Sequence, residues 1–141
     1  MTAAKQIPIL FTCSGCSNAG QLSNELAIEL DRRGVAEMSC LAGVGAGKEL
    51  FLKKLRDREV WVIDGCPIEC SLGVFDQIPE HADIHIRLHD FQVKKNALPP
   101  KGPAFDSFVD RVLAWVRQQR ATSMPNTELP TDAGKAEGPK P

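Results

Sequence analysis

Four cysteines in two close pairs are the residues of this sequence best suited to chemistry. Cys13 and Cys16 form a Cys-x₂-Cys pair, and Cys66 and Cys70 form a Cys-x₃-Cys pair. Four thiolates can hold a tetrahedral zinc ion, with Zn–S bonds of about 2.3 Å. Free cysteines can also serve simply as small buried hydrophobic residues. That account suits the fifth cysteine, Cys40, which has no close partner in the sequence, and it fits the two pairs poorly.

Two other chemistries could use the same thiols. A thiol–disulfide or sulfur-transfer enzyme would use either pair as activated thiolates, although the Cys-x₃-Cys spacing is unusual for a redox motif. An iron–sulfur cluster is also held by four cysteines. A catalytic zinc with three cysteines and a water molecule is compatible with the count of five. The pattern favours zinc and leaves these alternatives open.

A buried β-strand leads to the second pair of cysteines. The β-branched and aromatic run Val60–Ile63 predicts this strand, and turn residues follow it. Pro67 suits the first position of a helix, where its missing N–H is no loss. We therefore expect a helix over residues 67–77, with Cys66 at its N-terminus and Cys70 one turn later on the same face.

Strands and helices are predicted to alternate along the rest of the chain. This alternation predicts an α/β fold, a small three-layer sandwich with a mostly parallel four-stranded sheet and helices on both faces. The expected strand order is 2-1-3-4. The glycine-rich stretch 41–47 predicts a flexible loop. The run GVGAGK at residues 43–48 suggests a phosphate-binding Walker A motif, but Ala42 and Glu49 stand where that motif needs Gly and Ser or Thr. The other strands are expected at residues 7–12, 36–39 and 83–88, and the other helices at about 18–33, 50–58 and 105–120.

The predicted topology brings the cysteines to one edge of the sheet. Cys13 follows the first strand, Cys40 the second and Cys66 the third. Ligands of open α/β sheets bind at the carboxyl edge, where the strand order reverses. Because neighbouring strands lie only ~4.8 Å apart, residues at their ends can share one ion. We therefore expect Cys13 and Cys16 to lie opposite Cys66 and Cys70.

The remaining titratable residues near this edge have structural explanations. His81, His85 and His89 recur every four residues, but apolar residues alternate between them and predict a strand. On a strand, His85 and His89 would share a solvated face with Arg87, and His89 alone would neighbour the site. Asp64 could act as a general base or as an acceptor behind the site. An aspartate before glycine more often accepts hydrogen bonds from turn amides.

Composition limits the cellular setting and the partners. The chain has 141 residues, 43% of them hydrophobic, which suits one domain over residues 1–120. The Pro-, Thr- and Gly-rich residues 121–141 predict a disordered tail. A net charge of −1 gives no reason to expect nucleic acid. No apolar run approaches the ~18 residues of a membrane span, and no signal peptide is recognisable, so we expect a cytoplasmic protein. The paired cysteines make a metal ion its expected partner.

Three stretches of the sequence resemble one known family. They are CSGCSNAG, SCLAGVG and IDGCPIEC, and together they resemble the DGC domain family, for which zinc binding is the expected function. The family takes its name from the Asp64-Gly65-Cys66 triad, and the resemblance covers about residues 9–95. It implies zinc held by four cysteines, matched here by Cys13, Cys16, Cys66 and Cys70.

The resemblance also touches two further segments. The second stretch, SCLAGVG, makes Cys40 an alternate zinc ligand. The segment HDFQVKK is a looser match, and Gln92 within it stands where the family pattern has glycine. The resemblance does not assign a physiological role.

Overall fold

A four-stranded parallel sheet forms the centre of the computed structural model, which describes residues 6–122. The strand order is β2-β1-β3-β4, so the α/β class and the predicted order are confirmed. The strands are β1 (Ile9–Thr12), β2 (Glu37–Met38), β3 (Val60–Asp64) and β4 (Ile84–Arg87). The helices are α1 (Asn18–Arg32), α2 (Leu41–Gly45), α3 (Glu49–Leu52), α4 (Cys70–Phe75) and α5 (Pro103–Thr122), with short 3₁₀ turns at Lys53–Leu55 and Leu88–Phe91.

Helices cover both faces of the sheet and create two cores. α1 and α5 pack on one face, and α2 and α4 pack on the other. Every residue of β3 is buried, as expected for a central strand of a parallel sheet covered on both sides. The first core includes Leu10, Leu26, Trp61, Ile63, Ile86 and Val112, and the second includes Ile9, Phe11, Val44, Val62 and Phe75.

The register of the central strands fixes which loops meet. Thr12 at the end of β1 pairs with Ile63 of β3, and Asp64 pairs with Arg87 of β4. The Cys13 N–H continues this pairing beyond β1 by donating to the carbonyl oxygen of Ile63, at 3.4 Å. The loops that follow β1 and β3 therefore leave the sheet side by side.

The helix predicted over residues 67–77 begins later than expected. α4 starts at Cys70, and the preceding residues form a turn in which the Glu69 N–H donates to the Cys66 carbonyl at 3.1 Å. Glu69 has φ 58° and ψ 50°, a left-handed conformation that an α-helix cannot contain. The prediction that Cys66 lies at the helix N-terminus, one turn before Cys70, is therefore wrong. Cys70 itself begins the helix.

The prediction of a flexible loop at residues 41–47 is also wrong, because helix α2 occupies most of this stretch. Val44 of α2 is fully buried in the second core, and this anchors the helix to the sheet. Gly43 is needed for packing, since a Cβ at this position would overlap the ring of Phe51. Gly43 therefore reflects a close contact between α2 and α3.

The C-terminal boundary shifts slightly as well. α5 continues to Thr122, so the first two residues of the predicted tail, Ala121–Pro141, are helical. The rest of that predicted tail lies outside the described residues. None of the helices between residues 6 and 122 has the length and hydropathy of a membrane-spanning segment.

Candidate functional site

All five cysteines are free and lie beyond the carboxyl ends of β1, β2 and β3. Cys13 and Cys66 are half-buried, whereas Cys16, Cys40 and Cys70 are exposed. The expectation that Cys40 is a small buried hydrophobic residue is therefore wrong. It precedes α2 as the capping residue, and its thiol makes no capping hydrogen bond.

The Cys13 thiol connects three elements. The Gly65 N–H donates to Cys13 Sγ at 3.4 Å, which joins the loops after β1 and β3. On its other side Sγ lies 3.2 Å from Oγ of Ser23 in α1. Ser23 is fully buried, and its hydroxyl also lies within hydrogen-bond distance of the Cys13 carbonyl, at 2.9 Å. Cys13 is thus the cysteine held most firmly at the edge of the sheet.

Gly65 allows the loop after β3 to approach the start of α1. A Cβ on Gly65 would overlap the carbonyl of Ala19 in the first turn of α1. Backbone atoms of a helix cannot move aside cheaply, so only glycine fits at this position. This contact gives a physical reason for the central glycine of the Asp64-Gly65-Cys66 triad.

Asp64 is the most deeply buried charged residue at this edge, with 1% of its surface exposed. Its Oδ1 accepts the Ser71 N–H at 2.7 Å, and its Oδ2 accepts the Leu72 N–H at 3.0 Å. Nε2 of His85 also lies 2.8 Å from Oδ2. The sequence predicted that Asp64 would bond turn amides, and the amides it bonds belong to the first turn of α4.

The hydrogen bonds to Asp64 determine its ionisation. Burial raises the pKa of this carboxyl, but the bonds from His85, Ser71 and Leu72 outweigh burial and hold the pKa below its ordinary value. The side chain is therefore a carboxylate at neutral pH. Because a carboxylate only accepts hydrogen bonds, Nε2 of His85 is the donor.

His85 does not lie on a solvated face, and that prediction is wrong. Its side chain is only 18% exposed and points to Asp64 on the neighbouring strand. The signal that could have identified this contact is the register of β3 and β4, which puts Val62 beside His85 and Asp64 one step further along the same face. The alternation of apolar residues along β4 indicates which residues share a face with His85, but it does not indicate that Asp64 of β3 lies beside that face.

Arg87 and His89 lie close to the carboxylate of Glu69, the residue before Cys70. Arg87 Nη1 lies 3.4 Å from a Glu69 carboxylate oxygen, and Nε2 of His89 lies 3.9 Å from the same oxygen. His89 therefore lies beside the loop that carries Cys66 and Cys70, which is the position the sequence suggested for it.

The thiols share an edge without forming a compact cluster. Within residues 6–122, no three His, Cys, Asp or Glu side chains are placed closely enough to hold a metal ion together. Cys13 and Cys40 line one open groove of about 600 Å³, together with residues of the loop after β1 and of α2. Cys16, Cys66 and Cys70 do not line this groove. The structure thus brings the predicted loops together without placing three of their thiols within reach of one ion among the described residues.

Comparison with known proteins identifies relatives of this chain. The family model of the DGC domain matches residues 9–108, a range that contains all four strands and all five cysteines. The anaerobic and virulence modulator AnvM of Pseudomonas aeruginosa is 41% identical over 90 residues, which cover 63% of this chain and 69% of AnvM. No solved structure gives a significant match. The family match covers well over half of the chain, and the protein belongs to the DGC domain family.

Proposed function

We propose that the protein binds a zinc ion through cysteine thiolates at the carboxyl edge of its sheet. The ligands are Cys13, Cys16, Cys66 and Cys70, with Cys40 as the alternate ligand. The observation that carries the proposal is that five free thiols reach one edge from three strand ends. Thiolate sulfur is a ligand that zinc prefers, and four such ligands complete a tetrahedral site.

The residues at this edge fit zinc in kind and in number. The loops that carry the two pairs already touch through the Gly65 N–H and the Cys13 thiol. Because no three of these side chains within residues 6–122 lie close enough to hold one ion, zinc affinity includes the cost of bringing the four thiols together. When bound, zinc would hold the loops as a structural ion or, with one open position, activate a water molecule.

The cellular setting follows from the need for reduced thiols. We place the protein in the cytoplasm, where glutathione and thioredoxin keep cysteines available as ligands. Its partner there is the metal ion. The net charge of −1 supports no role in binding nucleic acid.

Metal analysis after anaerobic purification tests this function. We expect about one equivalent of zinc per chain, removed by a chelator and restored by adding zinc back. Less than about half an equivalent, unrestored by reconstitution, would contradict the proposal. Iron together with a visible absorption band would instead identify a cluster held by the same cysteines.

Serine variants at all five cysteines test the choice of ligands. Cys13→Ser, Cys16→Ser, Cys66→Ser and Cys70→Ser should each lower zinc content, whereas Cys40→Ser should leave it unchanged. Ser14→Ala, in the loop between the first two ligands, serves as a control for changes in that loop. Loss of zinc in Cys40→Ser but not in Cys16→Ser would make Cys40 the fourth ligand.

Thiol–disulfide or sulfur-transfer catalysis is the second candidate function. Its supporting observation is that Cys16, Cys40 and Cys70 are exposed and therefore accessible to a substrate, while the Gly65 N–H donates to the Cys13 sulfur. Thiol titration with and without zinc separates the two functions. Thiols that react quickly in the presence of zinc favour catalysis, and protection that a chelator removes favours a metal site.

A further inference from the structure

Helix α4 lacks a cap from its own N-terminal residue. Its capping residue, Glu69, is left-handed and makes no side-chain hydrogen bond to the first turn. The first N–H groups of a helix have no partner within the helix, and leaving them unpaired in a buried place is costly. Asp64 supplies the missing acceptor from the end of β3, since its two oxygens accept the Ser71 and Leu72 N–H groups.

This arrangement closes the loop that carries the second pair of cysteines. Residues 65–69 leave the sheet at Asp64 and return to the carboxylate of the same Asp64 through the first turn of α4. Cys66 lies within this closed loop, and Cys70 is the residue directly before Ser71. The bond from His85 Nε2, at 2.8 Å, ties the carboxylate to β4.

We propose that Asp64, held by His85, is a positioning residue for the metal-binding cysteines. It fixes the first turn of α4 and, through it, the separation of Cys66 and Cys70. It is not a ligand, because it is 1% exposed and both its oxygens are already bonded. The proposal rests on the zinc-binding function proposed above, and it gives the aspartate of the Asp64-Gly65-Cys66 triad a role distinct from that of the cysteine.

Asp64→Asn is the direct test, and Asp83→Asn is its matched control. Asp83 also accepts a backbone N–H, that of Val60 at 2.8 Å, but at the opposite end of β3. Zinc affinity, measured by competition with a chromophoric chelator, should fall at least about tenfold in Asp64→Asn and change less than about twofold in Asp83→Asn. Wild-type affinity in Asp64→Asn would overturn the proposal.

Hydrogen exchange of the metal-free protein gives a readout that does not depend on zinc. The Ser71 and Leu72 amides should exchange at least about tenfold faster in Asp64→Asn than in the wild type, while amides of α1 keep their protection. Unchanged exchange at both amides would overturn the proposal. If the wild type binds no zinc, the proposed function fails, and faster exchange at these two amides still supports the positioning of the turn by Asp64.

Variants of His85 cover the case in which Asp64→Asn does not fold. A glutamine can still donate a hydrogen bond to the carboxylate, whereas a leucine cannot. We expect His85→Leu to lose zinc affinity and to expose the Ser71 and Leu72 amides to exchange, and His85→Gln to restore most of both. Equal zinc affinity in His85→Leu and the wild type would overturn the role of His85, and with it the anchoring of Asp64.

Discussion

An aspartate and a histidine lie together beside each end of strand β3, in different surroundings. At the carboxyl end, Asp64 accepts two amides and is bonded to His85, and it is 1% exposed. At the amino end, Asp83 accepts the Val60 amide and lies 3.5 Å from His81, but its side chain is 40% exposed and that of His81 is 82% exposed. One pair is part of the interior, and the other is solvated.

This difference indicates where the fold concentrates its specificity. A solvated carboxylate can replace lost partners with water, so its contacts contribute little to stability. A buried carboxylate cannot do so, and its loss leaves amide groups without partners. The contacts of Asp64 and His85 at the carboxyl edge are therefore expected to tolerate fewer substitutions than those of Asp83 and His81 at the amino edge.

Replacement of the two aspartates by alanine should show the largest contrast. Asp64→Ala leaves the Ser71 and Leu72 amides and His85 without their acceptor, and we expect the free energy of unfolding to fall by about 3–5 kcal/mol. Asp83→Ala should lower it by about 1 kcal/mol or less. Urea denaturation of both metal-free variants measures the difference. Equal losses would show that burial does not distinguish the two ends.

Gly65→Ala should be the next most harmful change at the carboxyl edge. The new Cβ would overlap the Ala19 carbonyl, and we expect a loss of about 3 kcal/mol, at the upper end of overpacking costs. Gly73→Ala in α4 is the control, because no atom lies near a Cβ there. This control should stabilise the protein by roughly 0.5–1 kcal/mol, since alanine favours a helix over glycine. Tolerance of Gly65→Ala would show that the loop can move away from α1.

The sequence was sufficient to predict the sheet, because the sheet follows from short local patterns. The β-branched run at Val60–Ile63 and the apolar alternation between residues 84 and 86 identify strands without knowledge of their neighbours. Parallel topology then places Cys13, Cys40 and Cys66 at one edge, and the structure confirms the strand order on which that inference depends.

The connections at that edge depend on contacts between segments far apart in the chain. Pro67 favours a helix from residue 67, but the bonds from Ser71 and Leu72 to Asp64 fix the first turn of α4 later. His85 has the spacing of a solvated residue, and only the register of β3 and β4 brings it to Asp64. Local propensity cannot report either interaction, because both partners must be placed first.

Gln92→Gly should produce a smaller, stabilising effect beyond the carboxyl end of β4. Gln92 is exposed and has φ 65°, a left-handed conformation that glycine adopts without strain, and the family pattern suggested glycine here. We expect the free energy of unfolding to rise by roughly 1 kcal/mol. Asn96→Gly, at φ 67°, is the control and should gain less, because asparagine tolerates this conformation better than glutamine. A larger gain for Asn96→Gly would contradict this explanation.

The smallest effect on stability is expected from a change at Glu37, which forms ion pairs with Arg58 and Lys54 at the amino end of the sheet. The hydrogen bond from Arg58 lowers the pKa of this carboxyl, with Lys54 adding to the effect against the opposing effect of burial. Because the pKa is lower in the folded state, Glu37 stabilises the protein at pH values above its unfolded-state pKa, near 4.5. This contribution is lost as the pH falls through the folded-state pKa. Because the Glu37 side chain is 41% exposed, we expect Glu37→Gln to lower the free energy of unfolding at pH 7 by only about 0.5 kcal/mol.

Urea denaturation at pH 7 and pH 3 measures this change, and the difference from the wild type should shrink at the lower pH. A loss at pH 7 as large as that of Asp64→Ala would mean that the ion pairs of Glu37 at the amino end stabilise the fold as strongly as the buried carboxylate at the carboxyl edge.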